Sequence, residues 1–175
     1  LLSQAGYPNG QNFPTVEYVY VDTPENGAVA RYLQQLWQET LNVTVTLRAA
    51  DEEEARSLLL GGEFTMAGFR FDAAYDDALA FLQRWQSSLG TAGGNVVSFS
   101  DRAYDLLLSV VSASSNSARE ACLHDAEELL LQSKGVVPLF YYNTTSALAD
   151  GLTGVYRRAM GAYFFDHVTA AEPAA

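Results

Sequence analysis

Apolar, β-branched and aromatic residues crowd the stretch Thr-Val-Glu-Tyr-Val-Tyr-Val, which predicts a strand over 15–21. The period then lengthens. Thr23 is a good helix cap, Pro24 suits the first helical position and Glu25 complements the helix dipole, so a helix is expected over 24–40. Its apolar face is read as Val29, Leu33, Leu36 and Trp37. Alternation returns at Val43–Leu47, a second strand with one buried face. Asp51-Glu52-Glu53-Glu54 opens a second helix with Ala55, Leu58 and Leu59 facing inward, and Gly61-Gly62 ends it. From Phe64 to Phe71 the chain is apolar on both faces until Arg70, as in a strand of a parallel or mixed sheet covered on both sides.

The second half is more helical. A helix over roughly Asp77–Gln86 carries Ala78, Phe81, Leu82 and Trp85, and the glycines of Leu89–Asn95 read as a flexible surface loop. Ser98 or Ser100 is the expected cap of a helix bearing Tyr104, Leu107, Leu108 and Val111. Ser112–Ser117 reads as a linker. Ser117-Ala118-Arg119-Glu120 has capping-box form for a last helix with Ala118, Cys122, Ala126, Leu129 and Leu130 on its apolar face, closed by Lys134-Gly135. Leu129 on this reading is a buried leucine, whose truncation to alanine costs about 2–5 kcal/mol. Val136–Tyr142 predicts a final strand, with Pro138 at an edge or a strand start. No period is legible after Asn143. Strands and helices in this order predict an α/β fold with right-handed crossovers.

Composition sets the class. A chain of 175 residues, 49% of them hydrophobic, can bury one sizeable core. Its net charge of −11 and pI near 4.4 repel phosphate backbones and anionic membranes, so no nucleic-acid partner is expected. One cysteine, Cys122, excludes an internal disulfide. No apolar run approaches the roughly 20 residues of a membrane span, and no export signal is visible. Leu1-Leu2-Ser3-Gln4-Ala5-Gly6 reads as the last turn of a helix with Gly6 as its cap, which suggests a chain cut from something longer.

Catalytic signatures are missing. His124 and His167 are the two histidines, far apart, and no Cys or His pair has zinc-ligand spacing, so no metal and no cofactor is expected. There is no nucleophile elbow and no phosphate loop. Cys122 reads as a small buried hydrophobe. Asp22 and Asp72 close the first and third predicted strands, where a phosphoacceptor domain carries its acids. That fold also needs a lysine after its last strand, and the sole lysine, Lys134, precedes it. The protein is therefore expected not to be an enzyme.

What remains is Phe69-Arg70-Phe71-Asp72-Ala73-Ala74-Tyr75-Asp76-Asp77, which leaves the carboxyl end of a buried strand and enters a helix. In open α/β sheets ligands meet that end of the strands. Aromatics supply rigid walls there and a few charges fix a ligand's ends. An ordinary strand-to-helix turn, with Asp76 or Asp77 capping and Phe71 in the core, accounts for the same residues, and both readings stay open.

Several short motifs in register resemble the oligopeptide- and dipeptide-binding family of ABC-transporter solute-binding proteins (family 5). They are Ala5-Gly6-Tyr7-Pro8-Asn9-Gly10, Leu36–Val45, Gly62-Glu63-Phe64-Thr65-Met66-Ala67, Tyr104-Asp105 and Val136–Tyr142. The resemblance implies one lobe of a type II periplasmic-binding-protein-like fold, with a mixed, mostly parallel sheet and helices on both faces. Residues 1–175 would be most of the C-terminal lobe, with about 163–175 belonging to a hinge or to the other lobe. It further implies an extracytoplasmic protein that holds a peptide or other small solute against its N-terminal lobe and hands it to an ABC permease in the membrane.

In the family the strand-to-helix segment reads roughly Gly-Trp-x-x-Asp-Tyr, its Trp lining the cleft and its Asp pairing with the peptide ammonium. Here Phe71 takes the Trp position, Tyr75 matches the Tyr, and Ala74 stands at the Asp position. Asp72 is the candidate replacement, since strand-like alternation keeps it on the side of Ala74. Arg70 replaces a small residue and is a candidate for a ligand carboxylate. The implied ligand-binding set is therefore Arg70, Phe71, Asp72, Ala74 and Tyr75, with no catalytic residue. The departures leave room for a non-peptide ligand of the family, or for a sensory or protein-interaction domain derived from the same lobe.

Overall fold

A computed structural model describes residues 1–111, 115–158 and 160–170. Its elements run β1 (Val16–Val21), α1 (Pro24–Leu41), β2 (Val45–Ala50), α2 (Glu52–Gly61), β3 (Met66–Gly68), α3 (Leu79–Leu82), α4 (Arg102–Val110), α5 (Asn116–Gln132), β4 (Leu152–Thr153), β5 (Tyr156–Arg157), β6 (Tyr163–Phe164) and β7 (Thr169–Ala170). The chain divides into two compact units, Leu1–Phe71 with Arg84–Asp105, and Asp72–Gln83 with Leu106–Ala175.

The first unit is built on β1, the middle strand of a parallel sheet ordered β2-β1-β3. Successive side chains of a strand point to opposite faces, and here both faces are covered. Tyr18 and Tyr20 pack with Val45 of β2 and Ala30 of α1, joined by Leu33, Trp37, Leu47 and Met66. Val19, Ala50, Ala55 and Leu58 form the core on the α2 side, joined by Val21, Phe64 and Ala67. The crossovers run in opposite directions across opposite faces and therefore have one hand, as the α/β reading requires.

Thr23 caps α1, its hydroxyl accepting the Asn26 N–H at 3.2 Å, and Asp51 caps α2 by accepting from the Glu54 N–H at 2.8 Å. Three expectations shift. The inward stripe of α1 runs Gly27-Ala30-Leu33-Trp37, the first two buried and the last two half-buried, while Leu36 is exposed, because small residues let the helix approach the tyrosines of β1. β2 starts at Val45 and continues through Ala50, because all six residues of β1 find partners in it. β3 is only three residues long, paired to Tyr18–Tyr20. Asp72 therefore lies four positions beyond that strand and does not close it, which removes the paired strand-end acids of a phosphoacceptor.

The glycine-rich stretch is ordered by Asn95, which is 1% exposed. Its Nδ2 donates to the carbonyls of Trp85 (3.3 Å), Gln86 (3.3 Å) and Phe99 (2.7 Å), and its Oδ1 accepts from the Phe99 N–H at 2.9 Å. A buried amide satisfied in this way ties the end of the exposed loop to Trp85, Gln86 and Phe99. Asp101, not Ser98 or Ser100, caps α4 by accepting from the Tyr104 N–H at 2.9 Å. Tyr104 is fully buried, edge-on to Phe99 at 5.0 Å, and burial, with Asp105 nearby, holds its phenol well above the usual range.

In the second unit, α3 packs against α5. The predicted helix over 77–86 narrows to α3 and a 3-10 turn over Gln83–Trp85, with Phe81 exposed and Leu82 buried. α5 begins at Asn116 with Ser115 at the cap position and no side-chain cap bond, so Ser117 lies inside the helix instead of capping it. Its buried face is Leu123, Ala126 and Leu130. Ala118 is exposed, and Cys122 and Leu129 are only half-buried. The predicted linker falls partly on residues 112–114, outside the described residues.

Residues 136–149 contain no regular structure, and Val137, Leu139, Phe140, Tyr141 and Tyr142 are exposed. The expected final strand is absent because its backbone meets no ladder partner among the described residues; apolar alternation alone does not make a strand. Beyond it, β4 pairs antiparallel with β7 and β5 with β6, one two-residue pair nested inside the other.

Arg119 holds Asp77 with Nη2 at 2.7 Å from both carboxylate oxygens, and the Leu79 N–H donates to the same carboxylate at 2.8 Å. The Arg119 bond first, then the backbone bond, lowers the Asp77 pKa below its ordinary 3.8.

Two predictions follow from this packing. Leu130→Ala should lose about 2–5 kcal/mol of unfolding free energy and Leu129→Ala less than half of that, measured by urea denaturation. Because the Asp77 pKa is depressed on folding, its contribution to stability is complete above about 3.8 and disappears as pH falls through the folded value. Arg119→Gln should move the Asp77 titration, followed by carboxyl carbon NMR, back up toward the ordinary value. The loss of stability in acid should then become shallower.

Candidate functional site

The parallel sheet makes Val21, Ala50 and Gly68 its three carboxyl ends. Two are occupied by helix starts. Asn26 donates from Nδ2 to the Val21 carbonyl at 3.0 Å, and Asp51 serves as the α2 cap. The third continues into Phe69-Arg70-Phe71, which has no strand partner among the described residues and opens toward solvent at Phe69, 46% exposed, and at Arg70.

Phe71 is half-buried and fixed on three sides. Its ring meets Trp85 edge-on at 5.6 Å, lies 5.1 Å from the Phe69 ring, and carries the Arg84 guanidinium 4.0 Å from its centroid. Trp85 is 5% exposed and its carbonyl is held by Asn95, so the wall behind Phe71 is rigid. Arg70 projects outward, but it interacts with other groups and is not a free charge.

The boundary between the units falls directly after Phe71. Asp72 and Ala74, in the second unit, are both exposed, and Asp72 likewise interacts with other groups. Residues 71–73 have no regular structure and 74–77 form a bend. The alternation that would set Asp72 beside Ala74 therefore has no ladder beneath it. Tyr75 is 39% exposed and donates its hydroxyl to Gln83 Oε1 at 3.1 Å. Asp77 is engaged with Arg119 and accepts from the Leu79 N–H at the start of α3, whose cap position is Ala78.

Sequence reasoning missed Arg84. It lies 13 positions beyond Phe71 and off the apolar stripe of its predicted helix, so no spacing rule ties the two together. The signal that could have found it is a cation beside a buried tryptophan in an acidic chain. His124 and His167 are exposed, and among the described residues no group of three His, Cys, Asp or Glu side chains could hold a metal ion. No helix among the described residues is long and apolar enough to cross a membrane.

Comparison with known proteins fits this architecture. The family model described as "Bacterial extracellular solute-binding proteins, family 5 Middle" matches residues 1–93, just over half of the 175 residues. The dipeptide-binding protein DppE of Bacillus subtilis (strain 168) is 25% identical over 87% of this chain and 28% of its own length. The "Probable deoxycholate-binding periplasmic protein YgiS" of Escherichia coli (strain K12) is 29% identical over 81% of this chain and 26% of its own length. Among solved structures, that of the pheromone receptor PrgZ, titled for its mode of peptide binding, aligns with a TM-score of 0.74 and 23% identity over 97% of this chain and 32% of its own, which shows the fold. The chain spans between 26% and 30% of the length of the relatives it matches. With the family model, the parallel sheet covered on both faces and the motifs read from sequence in agreement, the chain belongs to the bacterial extracellular solute-binding proteins of family 5.

Proposed function

We propose that this chain is most of the second lobe of an extracytoplasmic peptide-binding protein that serves an ABC importer. The ligand is held between two lobes and released to a membrane permease. The lobe carries no catalytic step: it offers walls and charges, and closure of the partner lobe supplies specificity because both sides must touch the ligand. The observation that carries the reading is Phe71, an aromatic wall at the carboxyl end of a parallel strand, braced by Trp85 and partly open to solvent. Relatives named for binding dipeptides, oligopeptides and murein peptides support peptides as the ligand class.

Ala74 favours a second reading. At the position where the family resemblance calls for an ammonium-binding acid, this chain has a methyl group. A ligand without a free amine then fits as well, and the name of the deoxycholate-binding relative supports that wider class.

Calorimetry on the protein as its host makes it, with a panel of two- to five-residue peptides, tests the proposal. Phe71→Ala should weaken the best peptide by about tenfold or more. It should also cost about 1 kcal/mol of stability through the lost edge contact with Trp85. Tyr75→Ala, at an exposed ring, should weaken binding with almost no change in thermal midpoint. Binding unaltered in both variants overturns this assignment of the site. Submicromolar binding by residues 1–175 alone contradicts the two-lobe requirement.

A further inference from the structure

Tyr75 is held differently from Phe71. It is 39% exposed, and among the described residues no other ring and no cation lies against its own ring. The main chain beneath it is nonetheless fixed. The Asp77 N–H donates to the Tyr75 carbonyl at 2.9 Å. The Asp77 carboxylate in turn accepts from the Leu79 N–H at 2.8 Å and from Arg119 of α5 at 2.7 Å. The ion pair joins residues 42 positions apart, so a helix distant in the chain anchors the bend that carries Tyr75.

With the main chain set, the freedom left to Tyr75 is rotation about its own side-chain bonds, and one contact limits it. The Tyr75 hydroxyl donates to Gln83 Oε1 at 3.1 Å, bridging eight positions across α3. Gln83 is a firm base for that bond. It is half-buried, its N–H donates to the Leu79 carbonyl, and it follows Leu82, which is buried. Tyr75, Asp77, Gln83 and Arg119 all lie in the second compact unit. A neutral hydrogen bond open to water adds little to folding. Its effect falls on the ring, because a tyrosine has only two side-chain torsions and a bond at its far end restricts both. A contact surface ordered before binding avoids the cost of immobilising a side chain, worth about two- to tenfold in affinity.

We infer that Gln83 is a positioning residue of the ligand site: through the Tyr75 hydroxyl it holds the Tyr75 ring in the orientation in which that ring meets the ligand. The inference rests on the reading of Tyr75 as a ligand-binding residue and deepens it. The chemistry required at position 83 is an acceptor oxygen, which a glutamine or glutamate side chain supplies and a leucine of similar size does not. The same bond accounts for a tyrosine at 75. A phenylalanine offers the same wall, but only the phenol reaches Gln83.

The test uses the protein as its host makes it, with Ala-Phe-Ala as the probe. Calorimetry gives affinities, and ring-carbon NMR of labelled tyrosine reports both the mobility of the Tyr75 ring and its contact with the probe. The expected result for Q83L is a more mobile ring and binding about two- to tenfold weaker, with the thermal midpoint nearly unchanged. Y75F should weaken binding by the same factor, Q83E should restore both ring order and affinity, and Q83L should add nothing on a Y75F background. A ring equally ordered in Q83L overturns the inference. So does a loss that Q83L still produces on the Y75F background, because Gln83 then touches the ligand itself. A wild-type Tyr75 signal that shifts with Ala-Phe-Ala, beside an affinity unchanged in Q83L, overturns the role of Gln83 and leaves the ligand-site reading intact. If Ala-Phe-Ala leaves the wild-type Tyr75 signal in place, the ligand-site reading of Tyr75 fails and the inference falls with it.

Discussion

The first unit depends on β1 being buried on both sides at once. A six-residue strand flanked by parallel neighbours gives its backbone hydrogen bonds to β2 and β3. Its side chains, alternating by two, feed two separate cores. α1 and α2 have to cover opposite faces, because neither core is finished without its helix. That requirement fixes where the strands end together, and thereby which loops lie at the carboxyl edge. Two of the three exits are used up by helix caps. The chemistry of the edge is concentrated in the third, after Gly68.

Rigidity at that exit comes from behind. Asn95 ties the carbonyls of Trp85, Gln86 and Phe99 together, Trp85 supports the edge of Phe71, and Phe71 carries Arg84. Each contact is ordinary in strength. In series they leave an aromatic face and a cation with little freedom to rearrange.

Local signals were legible in the sequence. Thr23 and Asp51 announce α1 and α2 because a cap is settled within four residues, and β1 is plain from its branched and aromatic run. What escaped depends on partners distant in the chain. β3 is short because only three residues of β1 face it, and Val136–Tyr142 has the composition of a strand without a neighbouring strand. The apolar face of α5 could be drawn through Leu129 or Leu123 on periodicity alone, and only its packing surface decides for Leu123. At the candidate site, the aromatic positions 71 and 75 stood out. Trp85 and Arg84, which give position 71 its character, did not, since ring and cation contacts leave no periodic trace.

The sheet also holds a close fit between neighbouring strands. At Gly68 there is no room for a methyl group, because the Tyr18 hydroxyl occupies the space where a Cβ would sit. The two positions are therefore coupled through sterics. A side chain at 68 requires the Tyr18 ring to move or residue 18 to shrink, and either change disturbs the core shared with α1. Divergence among such lobes should then treat 18 and 68 as one inherited unit, changing together or not at all.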